Sequence, residues 1–171
     1  CFSMTEPAVS GSDPTGLQTR AELDGGEWVI NGHKWFTSGA VGAQFAIAMV
    51  VTDPDAAPYT RASMILVPID NPGFNLVRSV SVMGHDGGPG HCEVIYEDCR
   101  VPASNLLGER GAGFVIAQDR LTNQECFRAA IEEALGVPVK LFPAADYDGV
   151  IQGLLGGTID ARSDLYSLGV V

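Results

Sequence analysis

Glu27-Trp28-Val29-Ile30-Asn31-Gly32-His33-Lys34-Trp35-Phe36-Thr37 decides the fold. Two runs rich in aromatic and β-branched residues flank Asn-Gly, the dipeptide that supplies the positive φ angles of a two-residue primed turn. The stretch is therefore read as a β-hairpin, with arms 27–30 and 33–37. Outward from it the same grammar repeats, with strands expected over 45–52, 63–69, 74–78 and 91–96, and Asn71-Pro72-Gly73 turning the chain between the second and third of these. Short strands at regular spacing with Gly, Pro, Asn and Asp in the gaps make residues 1 to about 107 all-β, as a sandwich or barrel.

The character changes at Gly111, where Gly111-Ala112-Gly113-Phe114-Val115-Ile116-Ala117-Gln118 opens a helix. Thr122 and Glu125 have capping-box spacing ahead of Phe127, Ala130, Ile131, Ala134 and Leu135, which recur at the helical period until Gly136 and Pro138. A short strand over 139–142 and a helix capped by Asp146 complete an α/β appendage. No linker or repeat separates the halves.

The 171 residues are 46% hydrophobic and 18% charged, the balance of a globular chain able to bury a core. The longest apolar run, 45–51, is far below the roughly 20 residues of a membrane-spanning helix. A formal net charge of −11 and a pI near 4.4 give a field that repels nucleic acid and anionic membranes, so neither is expected as a partner. Cys1, Cys92, Cys99 and Cys126 form no CxxC pair and share no ligand spacing with His33, His85 and His91, so no structural metal is expected. The chain opens on Cys1 without an initiator Met or a cleavage signal, and is read as an internal fragment.

Two stretches carry chemistry. Phe2-Ser3-Met4-Thr5-Glu6-Pro7, followed by Ser10-Gly11-Ser12-Asp13, places hydroxyls, small residues and backbone amides on a Pro-bounded bend that can donate to a polar ring edge or a phosphate. Lys34-Trp35-Phe36-Thr37-Ser38-Gly39 sets two aromatics beside two hydroxyls, the pairing that a flat amphipathic heterocycle requires. The plainer reading of the second stretch has Trp35 and Phe36 simply alternating between core and surface. The glycines of 84–91 fit no phosphate-binding motif, and His85 beside Asp86 is a solvated loop pair.

Taken in order, Phe2-Ser3-Met4-Thr5-Glu6-Pro7, Val29-Ile30-Asn31-Gly32-His33-Lys34-Trp35, Met64-Ile65-Leu66-Val67-Pro68, Pro72-Gly73-Phe74 and Arg100-Val101-Pro102-Ala103-Ser104-Asn105-Leu106-Leu107-Gly108 resemble the middle domain of acyl-CoA dehydrogenases. Thr52-Asp53-Pro54-Asp55 and Ser81-Val82-Met83-Gly84-His85-Asp86 are most similar to the branch whose animal members are fused to a phosphotransferase-like domain and act on long, branched or hydroxylated acyl groups. The resemblance implies a mainly β fold, a middle-domain β-barrel followed by the short α/β appendage. It also implies FAD as cofactor, an acyl-CoA thioester as partner, homo-oligomers, and a cytoplasmic or mitochondrial-matrix location. By matched position, Phe2, Met4 and Thr5 line the flavin, with the Thr5 hydroxyl near its N5 and pyrimidine edge. Gly11 and Ser12 belong to the same cofactor-binding turn, Ser12 also meeting the acyl-CoA, while Trp35, Phe36, Thr37 and Ser38 cover the ring and donate to it. The bend from Pro7 to Ser12 is one residue longer than the common family pattern, and the 34–39 segment one shorter.

The resemblance places the family's proton-abstracting carboxylate in a C-terminal helical domain, represented here by 111–121 alone, so no catalytic residue is assigned and the chain is expected to be inactive by itself. The unit boundaries read as 1–110 for the flavin-binding domain, 111–121 for the opened helical domain, 122–160 and 161–171. Phe127-Arg128-Ala129-Ala130, Leu135-Gly136-Val137-Pro138-Val139 and Asp146-Tyr147-Asp148-Gly149-Val150-Ile151 resemble a phosphonate-type solute-binding protein, which makes an anion-binding module the rival reading. Residues 160–171 are similar to a protein-kinase segment and carry no expected function. A non-functional composite is the third reading.

Overall fold

The computed structural model describes residues 1–11, 13–82, 84, 90–122, 129, 132 and 133. In chain order the strands are β1 (Phe2–Ser3), β2 (Arg20–Asp24), β3 (Glu27–Ser38), β4 (Phe45–Val51), β5 (Ala62–Pro68), β6 (Phe74–Val80), β7 (His91–Pro102) and β8 (Leu106–Leu107). After β8 comes helix α1 (Gly113–Thr122). The mainly β fold expected from the strand grammar is present. Of the appendage expected over 122–160 only residues 122, 129, 132 and 133 are described, all helical; the rest lies outside the described residues. Thr122 is the last residue of α1, where the capping-box spacing predicts the cap of a new helix.

The hairpin at Asn31–Gly32 is corrected. β3 continues through that dipeptide with a register shift against β7 between Ile30 and Gly32, and the chain reverses at Gly25–Gly26, where φ values of 60° and 88° let Asp24 pair with Glu27. Asn31 spends its side chain across the sheet, its amide donating to Asp98 Oδ1 at 3.2 Å and its carbonyl accepting from the Asp98 N–H at 2.8 Å. Gly32 has a different task from turning: a Cβ there would lie 2.3 Å from Thr19 Oγ1. The glycine lets the segment before β2 cross over β3 in contact with it.

The closed barrel is also corrected. The sheet path is β6-β7-β3-β2-β4-β5-β8, with β1 beside β4, and its two ends do not meet. The reason is local: β6 is exposed from Asn75 to Ser79 on one flank, and β8 offers two residues on the other.

β4 explains the long apolar run. Ala46, Ala48 and Val50 enter one cluster with Trp28, Ile30, Val67, Val94 and Tyr96, whereas Ile47, Met49 and Val51 enter a second with Met64, Leu66 and Leu107. Both faces of the strand are covered, the second partly by Phe114, Ile116 and Ala117 of α1, so polar alternation disappears. Full burial of a side chain such as Val50, Met49 or Leu66 contributes about 1.5–3 kcal/mol relative to exposure.

β4 also forms a seam with the N-terminal segment. Its one edge is shared between β2, through Arg20↔Val51, and β1, through Phe2↔Ile47 and Ser3↔Ala48, both parallel. Where β2 has ended, the N-terminal segment fills the gap between β3 and β4.

Candidate functional site

The seam joins the two chemistry-bearing stretches. The Trp35 N–H donates to the Thr5 carbonyl at 3.0 Å, and the Thr5 hydroxyl donates to the Trp35 carbonyl at 2.7 Å. Ser3 Oγ and Thr37 Oγ1 lie 3.1 Å apart in the interior. The bend and the aromatic segment are thus direct neighbours, 30 residues apart in sequence.

A β-bulge shapes the aromatic segment. Between Lys34↔Val94 and Thr37↔Cys92, β3 advances three residues while β7 advances two, and the surplus is taken up by Phe36 at φ 50°. That conformation is uncommon for a bulky residue and costs roughly 1–3 kcal/mol. Strict alternation would put Thr37 on the Trp35 face. The extra residue sends Thr37 inward beside Ser3 and leaves both rings on the outside, their centroids 4.8 Å apart and Phe36 40% exposed. The plainer reading, alternate core and surface aromatics, fails at this bulge.

The remaining positions group around this pair. A Cβ built on exposed Gly11 would lie 3.8 Å from Thr5 Cγ2, so the loop returns over the bend. Phe2 and Met4 are half-buried against the cluster of Ile47, Met49 and Leu66. Ser38 Oγ meets His91 Nδ1 at 2.7 Å, and the His91 ring lies 6.4 Å from that of Phe36. Ser12 lies outside the described residues. Because the Thr5 hydroxyl proton is committed to Trp35, its oxygen faces any ligand as an acceptor. The Thr37 hydroxyl is committed to Ser3 and is fully buried.

An ion pair that the sequence pattern did not single out lies beneath this surface. Lys34 and Glu6 are 0% and 2% exposed, with Nζ 2.8 Å from Glu6 Oε1. Lys34 Nζ also donates to the carbonyls of Met4 and Met49, both at 2.7 Å. Glu6 accepts from the backbone N–H groups of Gln18 at 2.7 Å and Thr19 at 2.9 Å. Burial brings the Lys34 ammonium down to about 8, partly opposed by Glu6. For Glu6, burial pushes upward, and the Lys34 charge and hydrogen bond, with the Thr19 and Gln18 bonds, outweigh it and hold the carboxyl below its usual range. The signal was present: Trp28, Ile30 and Lys34 share the inward register of β3, and a lysine there requires a buried partner.

A groove of about 420 Å³ opens next to Glu6, lined by Ala8, Thr19, Asn31, His33 and Tyr96 among others. Neither Trp35 nor Phe36 lines it; the two rings lie outside that groove, Trp35 half-buried and Phe36 exposed.

Residues 1–99 match the family model for the acyl-CoA dehydrogenase middle domain. The chain belongs to the acyl-CoA dehydrogenase family. Among its relatives, a Mycobacterium tuberculosis protein described as "Probable acyl-CoA dehydrogenase FadE2" is 51% identical over 145 residues, covering 81% of this chain and 36% of that protein. Mouse acyl-CoA dehydrogenase family member 10 is 45% identical over 124 residues, covering 71% of this chain and 12% of its own length. The crystal structure of an acyl-CoA dehydrogenase from Geobacillus kaustophilus superposes with a TM-score of 0.64 at 31% identity, over 78% of this chain and 35% of that one. The chain therefore spans about a third or less of the length of these relatives. The first match covers enough of the chain to run past residue 122, so the family likeness continues into the stretch where the sequence pattern suggested a change of unit.

Proposed function

We propose that this chain carries the flavin-facing surface of an acyl-CoA dehydrogenase, with Phe2, Met4, Thr5, Gly11, Ser12, Trp35, Phe36 and Ser38 as the residues that hold FAD, and Ser12 also meeting the acyl-CoA thioester. Thr37, expected from the resemblance to donate to the ring, is instead buried against Ser3 and supports the shelf from below. One observation carries the reading: the bulge in β3 holds two rings together and outward, beside the Thr5 bend, at the cost of a left-handed Phe36. Backbone strain at an exposed aromatic, held by the surrounding ladder, is the signature of a surface kept for a ligand.

The shelf fits the group. A tricyclic isoalloxazine needs an apolar plane and fixed polar atoms along one edge. Trp35 and Phe36 offer two adjoining aromatic surfaces tilted 59° to each other, so that one ring stacks on the heterocycle and the other meets it by an edge. The Thr5 oxygen offers an acceptor suited to a ring N–H such as that of the pyrimidine edge. When bound, FAD supplies the acceptor for the hydride that the family's chemistry removes from the acyl thioester. The chain's own residues bind and orient: the rings cover one face, the bend fixes the polar edge, and the fold beneath keeps both in register. Glu6, the carboxylate of the bend, is committed to Lys34 and two amides and is unsuited to proton abstraction. We assign no catalytic residue to this surface. Residues 1–110 form the flavin-binding unit in this reading, and 111–121 open the family's helical domain.

The test is flavin retention. Purified chain incubated with FAD and desalted is expected to keep its yellow absorbance and to gain thermal stability with added FAD. Trp35→Ala together with Phe36→Ala is expected to weaken binding by about 2–3 kcal/mol, on the order expected for loss of one stacked and one edge-on aromatic contact. Unchanged affinity in that variant would refute the site.

A further inference from the structure

The polar contacts of the buried pair join the Thr5 bend to β4 and to the segment before β2. The three Lys34 ammonium protons reach the Met4 carbonyl, Glu6 Oε1 and the Met49 carbonyl, and both Glu6 oxygens accept from the 18–19 backbone. Met4 and Glu6 bracket Thr5, and Lys34 precedes Trp35. The pair thus spans the step at which Thr5 and Trp35 exchange two hydrogen bonds, and ties it to β4 and to the segment before β2.

Stability alone is a poor reason for such an arrangement. Two charges taken fully out of water lose hydration that their attraction often fails to restore, and apolar pairs of similar volume frequently do as well. Apolar side chains, though, place no hydrogen-bonded carbonyl at a fixed point. A five-bond node does. The bulge at Phe36 makes this control necessary, because a left-handed residue relaxes unless its flanks are held.

We infer that Lys34 and Glu6 are positioning residues, a buried node that fixes the distance between the Thr5 bend and the Trp35–Phe36 shelf and so sets how well flavin binds. The inference rests on the shelf being a flavin site, and goes beyond it in assigning the affinity to two residues that do not touch the cofactor.

The full chain is compared with Lys34→Met/Glu6→Leu, in which both charges are removed and neither is left alone. Three quantities are read: global stability in urea, hydrogen exchange at the Trp35 amide relative to the Glu97 amide, which donates to the Gly73 carbonyl and shares no residue with the node, and FAD affinity by titration. The double variant is expected to remain folded, to exchange Trp35 at least tenfold faster than its change in global stability accounts for, and to bind FAD at least tenfold more weakly. Trp35 exchange that only tracks global stability, or wild-type FAD affinity, overturns the proposal. If the double variant fails to fold, Glu6→Gln takes its place, since it keeps the shape but turns an amide donor toward the Gln18 N–H; the same expected and contrary results apply. Should the unaltered chain bind no FAD, the flavin reading falls by itself, and the Trp35 exchange still decides whether the node positions the shelf.

Discussion

Replacing Gly32 by alanine tests the crossing that displaced the expected hairpin. The added Cβ would meet Thr19 Oγ1 at 2.3 Å and its Cβ and Cγ2 at 2.5 Å, so about 1 Å of movement is needed to reach ordinary contact. Thr19 cannot simply retreat, because its N–H donates to Glu6 and its carbonyl accepts from the Val51 N–H at 2.8 Å. Retreat breaks a hydrogen bond to a buried charge, worth roughly 1.5–3 kcal/mol, while shifting β3 disturbs its ladder with β7. We expect a loss of about 2–3 kcal/mol, in the usual range for overpacking. At about 2–4 °C per kcal/mol for a chain of this size, Tm should fall by roughly 4–12 °C. Gly42→Ala is the control, since no atom lies within 4 Å of its added Cβ and only its φ of 86° resists substitution, at about 1 kcal/mol. Urea unfolding of Gly32→Ala, Thr19→Gly and the double variant closes the cycle. A coupling above about 1 kcal/mol supports the contact. Additive effects, or a Gly32→Ala loss no larger than that of Gly42→Ala, would refute the reasoning.

The pair beneath the shelf predicts acid sensitivity. Glu6 is held below its ordinary 4.5 in the fold, so the unfolded chain takes up a proton first as pH drops through 4.5, and the stability Glu6 contributes at neutral pH is lost as pH falls through its folded value. Urea midpoints measured downward from about pH 6 should fall less steeply in Lys34→Met/Glu6→Leu than in the unaltered chain; parallel curves would count against this origin. For the bulge, Phe36→Asn places a residue that tolerates the left-handed region at φ 50°, so stability should hold within about 1 kcal/mol while FAD affinity drops. A large loss of stability would show that the exposed ring serves the fold.

Most strands were legible because burial writes a local pattern. The run 45–51 marked β4, and the turn at Asn71–Gly73 was placed correctly before β6. What escaped depended on residues distant in sequence. Asn31–Gly32 carries a strong local turn code, but Asp24-Gly25-Gly26 carries one of equal strength and is where the chain turns, and the need for Gly32 comes from Thr19. β2 was overlooked because its only buried residue is Ala21, which leaves no alternation to read. In the candidate site, the shelf and bend were legible as residue types, but the bulge that sets both rings outward comes from pairing with β7, and no dipeptide announces it.

That bulge also shows how sequence and site are linked physically. A strand with undisturbed alternation can present either Trp35 or Phe36 outward, and would send Thr37 out with Trp35. One extra residue resolves both conflicts, since Lys34 and Thr37 then point inward together, to Glu6 and to Ser3, and the two residues between them are free to face outward. The inward pair anchors the bulge from below on both sides, and the strain of Phe36 is confined to a single residue between anchors. Buried polar contacts at 34 and 37, a half-buried Trp35 and an exposed Phe36 are therefore one feature of the chain, and a change to either anchor is felt first at the rings.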